Sequence, residues 1–288
     1  MPNLKDIKRR IHSVESTMQI TKAMELVASS KFRRAKDRAE AVRPFFEQTY
    51  KLMAEIAAED PYFNSQFVHK RTDNEAMILI VIAGDRGLAG GFNSNVLKIA
   101  QAKIDELKAK GGNPVVMPIG QKAVDYFEHR EVKILKAYDH VAERANIYLG
   151  IQMAEEILDA YKRHTSVQNV EIVFTNYVSP ISQVAQSMQV IPLTNLAGNH
   201  PRKCAVEYEP SPEAVFDKLV PQYVAGLLYG AIVESFASEQ AARRTAMENA
   251  TDNATEMIEN LSLQYNRARQ GAITQELTEI VGGANALE

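Results

Sequence analysis

The residues best placed to do chemistry form one loop, Gly84-Asp85-Arg86-Gly87-Leu88-Ala89-Gly90-Gly91-Phe92-Asn93, directly after an apolar stretch. A glycine-rich turn after a first strand is where backbone amides cradle phosphates. This loop fails both nucleotide tests. A P-loop ends in Gly-Lys-Ser/Thr, whereas Gly90-Gly91 is followed by Phe92, and the glycines are spaced at threes rather than as G-x-G-x-x-G. Its reading is a structural turn or a docking surface. The histidines His12, His69, His129, His140, His164 and His200 show no metal-ligand spacing and stand beside no nucleophile motif. A single cysteine, Cys204, excludes an internal disulfide or a multi-cysteine metal site. Paired acids, Asp105 with Glu106 and Glu155 with Glu156, fall on helical patterns as solvated faces. No catalytic, cofactor or metal constellation is expected.

The elements that hold this loop follow from periodicity. The segment 77–83 is continuously apolar and reads as a strand buried on both faces. After the loop come a helix near 94–110, a strand 115–119, a short helix 121–128, a strand 132–138, a helix near 145–164 and a strand 170–177. One more strand is expected at 188–192. Such alternation predicts an α/β domain with a largely parallel sheet over 73–210.

The two ends of the chain follow a different rule. Residues 211–281 read as a single helix, on the order of 100 Å long. Ser211 caps it, Pro212 fits its first position and Glu213 complements its positive end. Met247, Ala254, Leu261 and Ala268 recur at sevens, and Ala250 and Met257 hand over to Ile258, Tyr265 and Ala272. That is the drift of a 3.6-residue helix carrying a heptad seam. One narrow seam needs a second long helix to cover it. The segment 1–60 supplies one: Asn3 can cap it, Leu4, Ile7, Ile11, Val14 and Met18 form its stripe, and Asp60 with Pro61 stops it. Small residues Ala23, Ala28, Ser29 and Ser30 would let the helices approach closely. A kink is expected at Pro44 and a bend or restart at Pro221. The apolar run 220–233 is too short for a bilayer and reads as a buried helix. The expected architecture is an antiparallel coiled coil of the terminal segments, 1–60 and 211–288, with a Rossmann-like α/β domain inserted.

Composition supports a globular protein: 288 residues, 45% hydrophobic, net charge −3. The charged opening, residues 1–10, predicts no leader peptide. Residues 1–43 carry eleven Lys or Arg against five Asp or Glu, yet these interleave with a regular apolar stripe and the chain as a whole is acidic, which argues against nucleic acid as partner. Two alternatives stand beside any specific assignment, a passive coiled-coil adaptor and a nucleotide-binding α/β protein.

Three motifs resemble one family from end to end: Ile20-Thr21-Lys22-Ala23-Met24-Glu25-Leu26-Val27-Ala28-Ser29-Ser30-Lys31, the loop Asp85–Gly91, and Ile273-Thr274-Gln275-Glu276-Leu277-Thr278-Glu279-Ile280-Val281-Gly282-Gly283-Ala284. They resemble the gamma subunit of F-type ATP synthases, and Ala237-Ser238-Glu239-Gln240-Ala241-Ala242-Arg243 strengthens the likeness. The resemblance implies a rotor shaft, one copy per complex, inside a ring of alpha and beta subunits. Its α/β domain would sit on a membrane ring of c subunits and hold the epsilon subunit, on the cytoplasmic face of a bacterial membrane. Nucleotide chemistry would belong to the ring, so no cofactor or catalytic residue is implied here. Lys31, Arg33, Arg34 and Lys36 would pass the acidic lever of beta, and Arg269, Gln270, Thr274 and Glu276 would meet its catch loop. Met24 and Arg243 would face the ring, while Tyr208 and Glu209 would contact the c-ring loops. After Glu279 no charge occurs before Glu288, which suits a tip turning in an apolar sleeve. With no second cysteine near Cys204, the disulfide switch of chloroplast relatives has no counterpart, and a bacterial type is implied.

Overall fold

Seven consecutive apolar residues, Ala76–Ile82, form the central strand β1 of a five-stranded sheet in the computed structural model, which describes residues 4–59, 63–68, 76–163, 167–194 and 206–285. The elements run α1 (Leu4–Glu59), β1, α2 (Phe92–Ala109), β2 (Asn113–Ile119), α3 (Gln121–Glu128), β3 (Lys133–Ile134), α4 (Ile147–Arg163), β4 (Val167–Ser179), β5 (Ser182–Ile191) and α5 (Pro212–Asn285). Cys204, Asn3, Asp60 and Pro61 lie outside the described residues.

The sheet order is β3-β2-β1-β4-β5; β1 pairs in parallel with β2 and β4, β2 with β3, and only the β4–β5 hairpin is antiparallel. Alternate residues of β1 serve two cores. Met77, Leu79 and Val81 meet Val96, Ala100 and Ile104 of α2 and Phe127 of α3. Ile78, Ile80 and Ile82 belong to a larger core with Met153 and Ile157 of α4, Met53 and Ile56 of α1, and Phe216, Val220, Val224 and Leu228 of α5. A strand buried on both faces loses the polar alternation of an exposed one, which is why 77–83 reads as unbroken apolar. By composition and length α5 could cross a membrane, but 61% of its apolar window is buried inside the protein, as in a core helix.

Two compact units divide the chain, Ser29–Arg243 and Met1–Ala28 with Arg244–Glu288. The first holds more of both long helices than the pattern suggested, because Met53 and Ile56 of α1 and Phe216, Val220, Val224, Leu228 and Ile232 of α5 belong to the core under the sheet. In it α4 and α5 come very close at Gly150, where a Cβ would lie 2.5 Å from the Ala225 carbonyl oxygen. Asn146 caps α4 through the Leu149 amide (2.9 Å), and Ser211 caps α5 through the Ala214 amide (3.2 Å).

Several expectations change. No restart occurs at Pro221: α5 is continuous, since the burial of Val220, Val224 and Leu228 on either side of the proline offsets its cost of ~3 kcal/mol. α1 is one helix on both sides of Pro44, which is compatible with the kink expected there. β3 keeps only two residues of the expected 132–138, although Tyr138 bridges back to Ile119. β5 extends the expected 188–192 back to Ser182 by pairing along β4.

In the other unit the hydroxyls of Thr21 and Thr251 meet at 2.8 Å, which sets an antiparallel register between the two helices. Met247, Ala254 and Leu261 are buried as the heptads require, and Ala268 is half-buried. Met257 and Ala272 are exposed, against expectation. Counting antiparallel from the threonine pair puts Leu4, the first residue of α1, opposite Ala268, so no described residue of α1 lies opposite Ala272. Ala28 is buried, whereas Ala23 and Ser30 point outward. Leu261→Asp is therefore expected to lower the melting temperature and helicity of the chain, since an unpaired carboxylate in the seam costs several kcal/mol (~2–5). Unchanged circular dichroism and melting would refute the seam.

Candidate functional site

In an open sheet with this order the connections leave β1 and β4 in opposite directions, and a crevice forms beyond their carboxyl ends. That switch point is where such domains bind ligands. Here the glycine-rich loop rims it, and the chain fills it with its own helix. The Glu239 carboxyl group packs on Gly84 so closely that a Cβ there would lie 2.8 Å from it. Arg243, one turn on, donates from Nη2 to Glu239 Oε1 (2.6 Å) and to the Gly87 carbonyl (3.1 Å). Ser238 Oγ donates to the Thr175 carbonyl of β4 (3.2 Å).

The loop's polar groups are committed internally. The Gly84 amide donates to Asn93 Oδ1 (2.8 Å), and Asn93 Nδ2 donates to the Arg86 carbonyl (3.1 Å). Asp85 Oδ1 accepts from the amides of Gln121 (3.0 Å) and His140 (2.9 Å), tying together the ends of three strand connections. Burial pushes the Glu239 carboxyl up from its ordinary range, opposed by the charge and hydrogen bond of Arg243. The Glu239 and Arg243 side chains take up the space beside Gly84 and Gly87. Among the described residues no cluster of His, Cys, Asp or Glu could hold a metal ion.

The expected contact residues are placed as follows. Arg33 and Arg34 are exposed, Lys36 pairs with Glu40 at 3.7 Å, and Met24 is half-buried. Lys31 is tied within the chain to Glu143 at 2.8 Å, and Arg38 donates to the Glu143 carbonyl (3.1 Å). Arg243 is buried and turned inward on Glu239, so its guanidinium faces this chain's own loop. Arg269, Gln270, Thr274 and Glu276 are exposed, with the Thr274 hydroxyl on the Gln270 carbonyl (2.9 Å). Tyr208 is half-buried against the larger core, and Glu209 is exposed. Sequence reasoning missed the part played by Glu239, whose one available signal was an acid and a base four apart in an otherwise small-residue stretch. Exposed apolar side chains include Ile20, Leu26 and Val27 on α1, and Ile273, Leu277, Ile280 and Val281 on α5.

The Lys31 pair has a pH signature. The hydrogen bond from Lys31 holds the Glu143 carboxyl below its ordinary value. A depressed folded-state value means that the contribution is present above the unfolded value, about 4.3, and is lost as pH falls through the folded one. Both side chains are a third or more exposed, so screening keeps the pair under ~1 kcal/mol. Lys31→Ala should lower the melting temperature slightly at neutral pH, and the difference should vanish on acid titration; a pH-independent difference would exclude the ion pair as its cause.

Fold and site together define a structural class: long terminal helices paired with each other, an inserted Rossmann-like α/β domain, and a ligand crevice closed from within. A family model described as ATP synthase matches residues 3–287. The chain is 55% identical to the ATP synthase gamma chain of Ruminococcus albus over 280 residues, 97% of each chain, and 41% identical to the sodium ion specific gamma chain of Acetobacterium woodii over 99% of each. The chain belongs to the gamma-chain family of F-type ATP synthases. Among solved structures it resembles a chain of the central stalk and c-ring of Tetrahymena thermophila mitochondrial ATP synthase (TM-score 0.59, 25% identity, 80% of this chain and 99% of that one). A chain of the Euglena gracilis mitochondrial enzyme shares the fold at TM-score 0.67 and 18% identity, over 99% of this chain and 94% of that one.

Proposed function

We propose that the chain is the non-catalytic central rotor of an F-type ATP synthase, one copy per complex. It couples ion flow through a membrane ring of c subunits to nucleotide chemistry in a ring of alpha and beta subunits, works peripherally on the cytoplasmic face of the membrane, and carries the epsilon subunit. The observation that carries this reading is the closed crevice. An α/β domain whose switch point is filled by Glu239 and Arg243 leaves nucleotide to its partners. The exposed faces supply the rest: Leu26 with Arg33 and Val27 with Arg34, each pair seven residues apart, give the exposed side of α1 apolar and basic groups while the side of Thr21, Ala28 and Ala35 is buried, so a partner meets that chemistry only when the exposed side is turned toward it. Differential contact of this kind biases otherwise identical partners between conformations. The apolar stripe Ile273, Leu277 and Ile280 suits the uncharged sleeve in which the tip would turn.

Native mass spectrometry of the complex isolated through a tag on this chain tests the assignment. One copy with three alpha-beta pairs is the expected result. Recovery as a free chain or a homodimer, or a rise in melting temperature of the isolated chain on adding ATP, would overturn it.

A further inference from the structure

The residues Glu239 and Arg243 do more than fill space. Over Phe216 to Ile232, α5 meets the sheet and α4 through apolar side chains, and apolar burial is non-directional. One directional contact, from Ser65 Oγ to Asp217 Oδ1 (2.7 Å), ties the start of α5 to the segment before β1, and further ones come at the end of this unit: Ser238 on the Thr175 carbonyl, Glu239 against Gly84, and Arg243 on the loop. Arg243 holds the Gly87 carbonyl at 3.1 Å and stands 3.5 Å from that of Arg86, the two peptide units immediately before Leu88. Leu88 is itself in a left-handed conformation, with φ 60°, and 65% exposed, and Gly90 follows at φ 56°. A non-glycine residue in that region persists only where its surroundings impose it. Here the imposing groups belong to α5, more than 150 residues further along the chain.

We propose that Glu239 and Arg243 are positioning residues forming a clasp, through which α5 dictates the conformation of the loop Gly84 to Gly91 and is keyed in rotation to the α/β domain. Glu239 orients the guanidinium; the guanidinium grips the backbone; the loop, through Asp85 and Asn93, carries that grip to the ends of β1, β2 and β3. Keying matters because, on the rotor reading above, torque crosses between α5 and the domain. A buried charge pair on a fixed backbone resists slip in a way that apolar packing alone does not.

A nitroxide on Leu88→Cys, in a Cys204→Ser chain, reads the clasp independently of any partner. The otherwise native chain should give an immobilised spectrum. Arg243→Ala and the double variant Glu239→Ala/Arg243→Ala should shorten the rotational correlation time several-fold, and Arg243→Lys should restore part of the immobilisation, because an ammonium keeps the charge and the donors but its compact head replaces the planar guanidinium whose Nη2 makes all three contacts. The double variant leaves no unpaired buried charge, so it serves if the single one does not fold. Leu261→Ala, in the other unit, lowers stability without touching the clasp and should leave the spectrum unchanged. Immobilised spectra in both Arg243→Ala and the double variant would overturn the clasp. In membrane vesicles holding the whole complex, Glu239→Gln should reduce ion-driven ATP synthesis by a larger factor than ATP hydrolysis; equal factors would overturn the keying. Failure of the unsubstituted chain to enter the complex would defeat the rotor reading and leave the label result standing.

Discussion

Gly120→Val is expected to abolish folding of the α/β unit. Gly120 sits between β2 and α3 at φ 92°, and a Cβ there would lie 2.1 Å from the Ala83 carbonyl oxygen and 2.8 Å from its carbon. Neither side can retreat. The Ala83 amide donates to the Ile119 carbonyl (2.9 Å), the Gly120 amide to the Tyr138 carbonyl (2.7 Å), and the Gly120 carbonyl starts α3 by accepting from the Ala123 amide (2.9 Å). The clash and the left-handed backbone act together, so the cost should exceed ~4 kcal/mol, at the extreme for one substitution and comparable to the whole stability of a domain at ~5–15 kcal/mol. Far-ultraviolet dichroism is a poor probe, because the long helices dominate it. Tyrosine fluorescence and near-ultraviolet dichroism suit a chain with eleven tyrosines and no tryptophan. Gly87→Val is the matched control: nothing lies within 4 Å of a Cβ at Gly87, so its effect should stay within about 0.5 kcal/mol. A Gly120→Val chain with a native near-ultraviolet spectrum and melting curve would refute the account.

That pair of glycines shows where sequence reasoning stops. The loop Gly84 to Asn93 stands out by composition, and Gly87 and Gly90 look as important as Gly84. Only the tertiary fold separates them, since Gly84 touches Glu239, Gly90 needs its positive φ, and Gly87 faces open space. Gly120 belongs to no visible motif, because its constraint is the neighbouring strand, contacted across more than thirty residues of chain.

Periodicity was legible wherever one rule governed a segment. Alternating cores make β1 apolar throughout, and heptads mark the seam from Met247 to Leu261. It misled where neighbours decide. Pro221 looked like a break but stands in a helix that burial holds together, and Met257 and Ala272 fit a heptad that does not cover them. Arg243 is expected from the resemblance to face the ring and Glu239 carries no expectation, whereas the two pair in a buried position beside the loop after β1, which no local pattern displays.

A disulfide between Gln270→Cys and a facing residue of the beta subunit, made in a Cys204→Ser chain, is expected to stop turnover completely until it is reduced. The position is chosen from the register. Ala268 is the last seam residue with α1 opposite it, and Gln270 lies two residues beyond, exposed and at the edge of the two-helix segment. A tether there is anchored next to the part of α5 that α1 supports, and thermal energy does not break a covalent bond. Residues 271–282 are exposed all round, so among the described residues that stretch of α5 is a solitary helix. Isolated helices of about a dozen residues are marginal in water. A tether at Glu279→Cys can therefore be relieved by unwinding between the bond and the seam, and part of the turnover should survive. Exposed polar contacts of Arg269 or Glu276 contribute only ~0–1 kcal/mol each and are made and broken at every step without trapping the rotor. The measurement is ion-driven ATP synthesis before and after reduction, with the cross-link confirmed on a gel. Full-rate synthesis by the Gln270 tether would show that this end of the helix pair does not turn against the ring, and equal arrest by both tethers would show that the tip is held firmly by its partners.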